Sequence, residues 1–119
     1  MPGPRSILIV EDEPLIAMML EDFLESLGHR VVATCESVDE AMERVGAGGF
    51  DVAIIDVQLK DGKQVWPVAD RLAAAGTPFI VATGGHVDPP PAQHADVPTL
   101  SKPYTIDAIA PALAQACGG

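Results

Sequence analysis

The sequence predicts a doubly wound α/β fold, and three observations carry that prediction. Three short apolar runs, Ile7 to Val10, Val52 to Ile55 and Phe79 to Ala82, are rich in β-branched residues and do not alternate with polar ones. Strands of this kind are buried on both faces, as in a parallel sheet. Segments of helical periodicity lie between them. Strand and helix patterns alternate from end to end, as parallel pairing through crossover helices requires.

Each element has its own signal. Pro14 suits the first turn of a helix in which Leu20, Phe23, Leu24 and Leu27 recur at helical spacing, and Gly28 ends it. Arg30 to Thr34 is a weaker strand, suited to a sheet edge. Ser37-Val38-Asp39-Glu40 is a capping box opening a second helix, which stops at Gly46-Ala47-Gly48-Gly49. Val65, Val68, Leu72 and Ala75 mark a third helix closed by Gly76. Thr99 to Ser101 is a second edge strand, and Ile106, Ile109 and Leu113 mark the last helix. One segment breaks the rhythm. Gly84 to Pro98 carries Gly84-Gly85, Pro89-Pro90-Pro91 and Pro98 where a fourth helix should stand, so that helix is expected to be short or absent and the segment mobile.

With 119 residues the chain is expected to form one domain, 1–119, with its core over about 6–117 and no output module after the last helix. The net charge of −10 and seven scattered Lys and Arg argue against nucleic acid as a partner. The longest apolar run, Leu15 to Leu20, is too short for a membrane span, and Ile7 to Val10 leads into acids rather than a cleavage site, so no membrane association is expected. Cys35 and Cys117 form no metal or redox pattern and are expected to be free thiols in a cytoplasmic protein.

In an open parallel sheet, ligands bind beyond the carboxyl ends of the strands. Those ends carry Glu11, Asp12 and Glu13 after the first strand, Asp56 at the end of the third, Thr83 after the fourth and Lys102 after the fifth. Each alone has a bland explanation: acids favour helix N-termini, and a lone Lys or Thr is usually surface or structural. Together they make a site. Acids gathered at one point repel one another unless a divalent cation intervenes, and an all-oxygen donor set suits Mg²⁺. A carboxylate beside Mg²⁺ can attack a phosphoryl group, with a lysine and a hydroxyl offsetting charge on its oxygens.

Ile7 to Glu13, Asp51 to Asp56, Ala82-Thr83-Gly84 and Ser101-Lys102-Pro103-Tyr104 resemble the signature segments of the response-regulator receiver family. The likeness runs from about Ser6 to Cys117. It implies the flavodoxin-like strand order 2-1-3-4-5. It implies Mg²⁺ held by Glu11, Asp12, Asp56 and the backbone carbonyl of Gln58. Asp56 would be the phosphoacceptor, Thr83 the switch hydroxyl and Lys102 the phosphate-binding lysine, set by a cis Lys102-Pro103 bond. It implies a phosphodonor partner, either a histidine kinase or a histidine phosphotransfer protein. Such a domain catalyses its own phosphorylation and dephosphorylation without being a turnover enzyme. It is expected to be a monomer or weak dimer that regulates a partner by binding, or that shuttles or drains phosphate.

Several positions depart from the family pattern. Leu59-Lys60-Asp61-Gly62 lacks the usual proline after the phosphoacceptor, and Thr99 stands where an aromatic switch residue is usual. Pro78 to Gly84 is similar to a subgroup of receivers named for a Phe-Ala-Thr-Gly phrase, with Val81 in place of the phenylalanine, and that subgroup tends to pair with an atypical class of kinases. Leu15, Ile16 and Met19, with Met18, offer more apolar surface than one buried stripe needs, so Leu15, Ile16 and Met19 are expected to form a kinase-docking face. Trp66 is expected to pack, and His86 and His94 to be plain loop residues. An aspartate-nucleophile phosphatase would need a second acid where Gln58 stands. A flavin-binding module would have its phosphate repelled by Glu11-Asp12-Glu13. A receiver-like module that binds partners without phosphorylation is the remaining alternative.

Overall fold

The computed structural model describes residues 4–57, 59, 64–83, 94, 96–102 and 104–117. Five strands, β1 (Ser6–Val10), β2 (Arg30–Cys35), β3 (Val52–Asp56), β4 (Phe79–Thr83) and β5 (Thr99–Ser101), form one parallel sheet in the order β2-β1-β3-β4-β5. The strands with continuous apolar runs occupy its centre, and the two weaker ones are its edges.

Alternation along the central strands divides the core in two. Leu8 and Val10 of β1, Ala53 and Ile55 of β3, and Phe79 and Val81 of β4 face one side. There they meet Val38 and Ala41 of helix α2 (Val38–Ala47) and Val68, Ala69 and Leu72 of helix α3 (Trp66–Ala74). Ile7, Ile9, Val52, Ile54, Ile80, Ala82 and Leu100 face the other. There they meet Leu20 and Leu24 of helix α1 (Pro14–Ser26) and Ile109, Ala112 and Leu113 of helix α4 (Ile106–Cys117). Leu20, Leu24 and Leu72 are fully enclosed, so trimming any of them to alanine costs about 2–5 kcal/mol.

The helix boundaries follow local chemistry. Pro14 sits in the first turn of α1, where its missing N–H costs nothing. Gly28, at φ +90°, ends that helix in the left-handed region, where a Cβ is disfavoured, and the His29 N–H caps the Leu24 carbonyl at 3.0 Å. Ser37 caps α2 by accepting a 3.1 Å hydrogen bond from the Glu40 N–H. In α4, Ile106 is exposed rather than buried, and Ala112 takes part in the apolar stripe instead.

Among the described residues no α-helix stands between β4 and β5. The expectation of a short or absent, mobile fourth helix over Gly84 to Pro98 falls mostly outside the described residues. Gln58, the shortened 59–62 turn apart from Leu59, His86 and the Lys102-Pro103 peptide bond lie outside them too. Among the described residues no helix is long and apolar enough to cross a membrane. Cys35 and Cys117 are unpaired; Cys35 is buried, and burial pushes its thiol up to about 11.

Candidate functional site

Strand register gathers the polar residues. Val10 pairs with Ile55, Asp56 with Ala82, and Thr83 with Ser101. Residues that leave or end the four strands therefore meet at one rim of the sheet. Three backbone hydrogen bonds extend the pairing past the strand ends: Glu11 N–H to the Cys35 carbonyl at 2.9 Å, Val57 N–H to the Ala82 carbonyl at 3.1 Å, and Lys102 N–H to the Thr83 carbonyl at 2.8 Å. Glu11, Asp56 and Lys102 are thus held by backbone, not by loop packing.

Glu11 and Asp56 are buried, with 1% and 3% exposure. Lys102 joins them. Its Nζ donates a 2.6 Å hydrogen bond to Asp56 Oδ2 and lies 2.7 Å from Glu11 Oε1. The second contact is an ion pair, and among the described residues no other donor reaches the buried Glu11 Oε1. Glu11 Oε2 accepts the Glu13 N–H at 3.2 Å. Asp12 is half-buried, and one carboxylate oxygen each from Glu11, Asp12 and Asp56 lie within 4.8 Å of one another.

The electrostatics follow from this crowding. Burial pushes the Glu11 carboxyl above its usual range, the Lys102 ammonium pulls it down, and Asp56 pushes it up again, with a net rise. Lys102 is held above its usual range: burial opposes its charge, but the contacts with Asp56 and Glu11 outweigh it. Tyr104, buried beside the same acids, has its phenol pushed up by burial first and then by Glu11 and Asp56.

The donor set fits a small hard cation. One carboxylate oxygen each from Glu11, Asp12 and Asp56 converge, and oxygen donors are what Mg²⁺ takes. Thr83, half-buried, ends β4 at the same rim.

Leu15 is 79% exposed beside the site. Ile16 and Met19 are each half-buried, packing in part on the α1–α4 side of the core. Met18 is 56% exposed. Ile16 shares its face with Leu20 and Phe23, whereas Met19, four residues after Leu15, lies at the boundary between that face and the exposed one. His94 departs from the sequence expectation more sharply, being 2% exposed and packed on Trp66. Nothing in a triproline neighbourhood signals a buried imidazole. In the sequence Tyr104 stands only as part of a motif, with no sign that its phenol would be buried beside Glu11 and Asp56.

The chain matches the family description "Response regulator receiver domain" over residues 7–113. It is similar to SdrG of Sphingomonas melonis Fr1, with 52% identity, a TM-score of 0.86, and 98% of both chains covered. Another SdrG structure, described as the BeF3-activated conformation, matches with 51% identity and a TM-score of 0.81 over 98% of this chain and 99% of that one. PhyR, a phyllosphere-induced regulator of Methylorubrum extorquens, is 40% identical over 79 residues, which is 65% of this chain and 30% of that protein. PhyR of Bartonella quintana, described as an anti-anti-sigma factor, is 27% identical with a TM-score of 0.80, over 98% of this chain and 48% of that one. The chain thus spans about half or less of the PhyR proteins and nearly all of SdrG. Five parallel strands in the order 2-1-3-4-5, acids and a lysine gathered at one rim, and the family match over most of the sequence agree: the chain belongs to the response regulator receiver domain family.

Proposed function

We propose that the domain accepts a phosphoryl group on Asp56 from a phosphohistidine, carried by a histidine kinase or a histidine phosphotransfer protein, and passes the signal on by protein–protein contact. The observation that carries this is Lys102 bridging Asp56 and Glu11 at 2.6 and 2.7 Å, with Asp12 in the same cluster. An Asp56 carboxylate oxygen attacks phosphorus as the P–N bond to the donor imidazole breaks. One acyl phosphate forms, and the departing nitrogen keeps the electron pair and takes up a proton. Glu11, Asp12 and Asp56 would hold Mg²⁺, with the Gln58 carbonyl as a further ligand, and the bound metal would neutralise charge on the phosphoryl oxygens. Lys102 follows the charge as it moves from the carboxylate onto those oxygens, and the Thr83 hydroxyl donates to one of them. The BeF3-activated conformation described for SdrG supports this chemistry, because that anion imitates a phosphoryl group on a carboxylate.

The donor docks on the exposed apolar surface of α1, made of Leu15 and Met18 and flanked by Glu21 and Glu36. Acids beside an apolar patch fit a partner helix with basic flanks. The domain acts as a regulatory phosphoacceptor rather than a turnover enzyme. Two free cysteines support a cytoplasmic location. Acetyl phosphate with Mg²⁺ should add one phosphoryl group by intact mass, and Asp56→Asn should abolish it. Undiminished labelling of that variant would remove Asp56 from its role.

A further inference from the structure

His94 lies outside the acidic pocket, yet it is among the most enclosed polar residues of the protein. Its Nε2 is 2.7 Å from Asp70 Oδ1 on α3. Its ring stacks on Trp66, with centroids 6.0 Å apart and planes at 14°, and meets Phe79 edge-on at 5.5 Å and 74°. An ionised carboxylate can only accept, so Nε2 carries the hydrogen and donates it to Asp70. Two residues of α3 and the first residue of β4 thus grip one side chain from the approach to β5.

Backbone gives this approach little hold there. Among the described residues, no backbone hydrogen bond joins 94, 96 or 97 to α3. The Val97 N–H turns back to the His94 carbonyl at 3.3 Å, and the next tie to the sheet is Val81 N–H to the Pro98 carbonyl at 3.0 Å. A groove of about 270 Å³, lined in part by Pro78, Phe79, Asp96, Val97 and Pro98, runs alongside. Attachment to α3 therefore rests on side chains, chiefly the His94 ring and Val97 against the apolar core.

We propose that His94 is a latch: its hydrogen bond to Asp70 and its stack on Trp66 seat the approach to β5 on α3, and breaking that bond releases the stretch as a unit while the sheet stays folded. The latched and released forms give this domain a conformational variable between α3 and β5 that needs no aromatic residue on β5, where Thr99 stands exposed. It differs from core packing because Asp70 is itself 55% exposed, so removing its carboxylate opens no cavity.

Trp66 is the protein's one tryptophan, so its emission reads the stacked face directly. The test compares Asp70→Ala, Asp70→Asn, His94→Phe and the Asp70→Ala/His94→Phe double variant. Asp70→Ala should speed amide exchange at Asp96 and Val97 about tenfold, the effect of losing one charge-assisted hydrogen bond, and shift Trp66 emission to the red, with β1 and β3 exchange unchanged. Asp70→Asn keeps an acceptor oxygen and should restore near wild-type behaviour. His94→Phe keeps an aromatic ring but loses the donor and should speed exchange similarly, and the double variant should be no worse than either single one. In ¹⁵N spectra of the wild type the His94 Nε2 should be the protonated nitrogen. Unchanged exchange and emission in Asp70→Ala, or fully additive effects in the double variant, would overturn the latch.

Discussion

Replacing Lys102 with methionine tests how the acidic pocket is held together before any metal arrives. The ammonium contacts Asp56 at 2.6 Å and Glu11 at 2.7 Å, and Glu11 Oε1 has no hydrogen-bond donor besides this ion pair. Removing one partner of a buried charge pair costs about 3–5 kcal/mol. The Lys102 side chain keeps 17% exposure at the open rim, which favours the lower figure of about 3 kcal/mol. For a domain of this size each kcal/mol moves Tm by about 4 °C, so the metal-free variant should melt about 12 °C lower. On the proposed reading Mg²⁺ would act on the same oxygens. At a hundredfold excess over its Kd a ligand adds about 2.7 kcal/mol, and without lysine competing for Glu11 and Asp56 the gain should be larger in Lys102→Met than in the wild type. Differential scanning fluorimetry across a Mg²⁺ series, with chelator as baseline, measures both quantities. A variant as stable as wild type in chelator, or one gaining no more from Mg²⁺, would refute a lysine that shares these oxygens with the metal.

Asp12→Ala should remove most of the Mg²⁺-dependent rise in Tm, because one of three converging oxygens is lost; calorimetric titration with Mg²⁺ checks the same point. Glu11 is raised by burial, so the folded state binds more protons than the unfolded state above pH 4.5. Metal-free stability should therefore fall as pH rises through that window, and Glu11→Gln should flatten the fall in a pH series of chemical melts. Leu15→Glu and Met18→Glu should slow transfer from a cognate kinase, spare labelling by acetyl phosphate and leave Tm nearly unchanged, since both side chains are exposed. Met19→Glu should lower Tm instead, because that side chain packs on the core.

Strand and helix identities were legible because each rests on short-range pattern. Continuous apolar runs mark β1, β3 and β4, and Pro14, Gly28, Ser37 and Gly76 punctuate the helices. The gathering of Glu11, Asp12, Asp56, Thr83 and Lys102 was legible too, because in a parallel sheet every strand delivers its carboxyl end to the same rim. Contacts that depend on side-chain reach were not. Lys102 bridging two acids, the buried Tyr104 phenol beside them and the His94–Asp70 pair join residues 24 to 93 positions apart, without a periodic signal. The docking face was legible only in part: Leu15 is exposed, while Ile16 and Met19 are half-buried against the core. Leu15, Ile16, Met18 and Met19 are consecutive enough that composition alone cannot tell the two outward residues from the two inward ones.

Register is the step on which the pocket depends, and the apolar pattern of the central strands does not set it alone. Where only one face of a strand is buried, a one-residue slip exposes every apolar side chain and is forbidden. β1 and β3 are apolar on both faces, so the same slip would still bury Ile, Leu and Val. Their ends supply the missing constraint. At the amino end the Ser6 N–H donates to Asp51 Oδ2 at 2.9 Å, the Asp51 N–H to the Ser6 carbonyl at 2.7 Å, and Arg30 Nη2 to Ser6 Oγ at 2.9 Å, tying β1 to the starts of β2 and β3. At the carboxyl end a slip would draw Glu11 or Asp56 down between apolar strands and away from Lys102, leaving a buried charge unpaired at a cost of several kcal/mol. The acids that make the site chemically useful thus also hold the strands in the alignment that brings them together. Neutralising them should loosen the pairing of β1 with β3 as well as abolish chemistry. A Glu11→Gln/Asp56→Asn variant should show faster amide exchange at Val10 and Ile55 than at Leu8 and Ala53. Equal exchange along both strands, at wild-type rates, would show that the amino-terminal ties and the helices fix the register unaided.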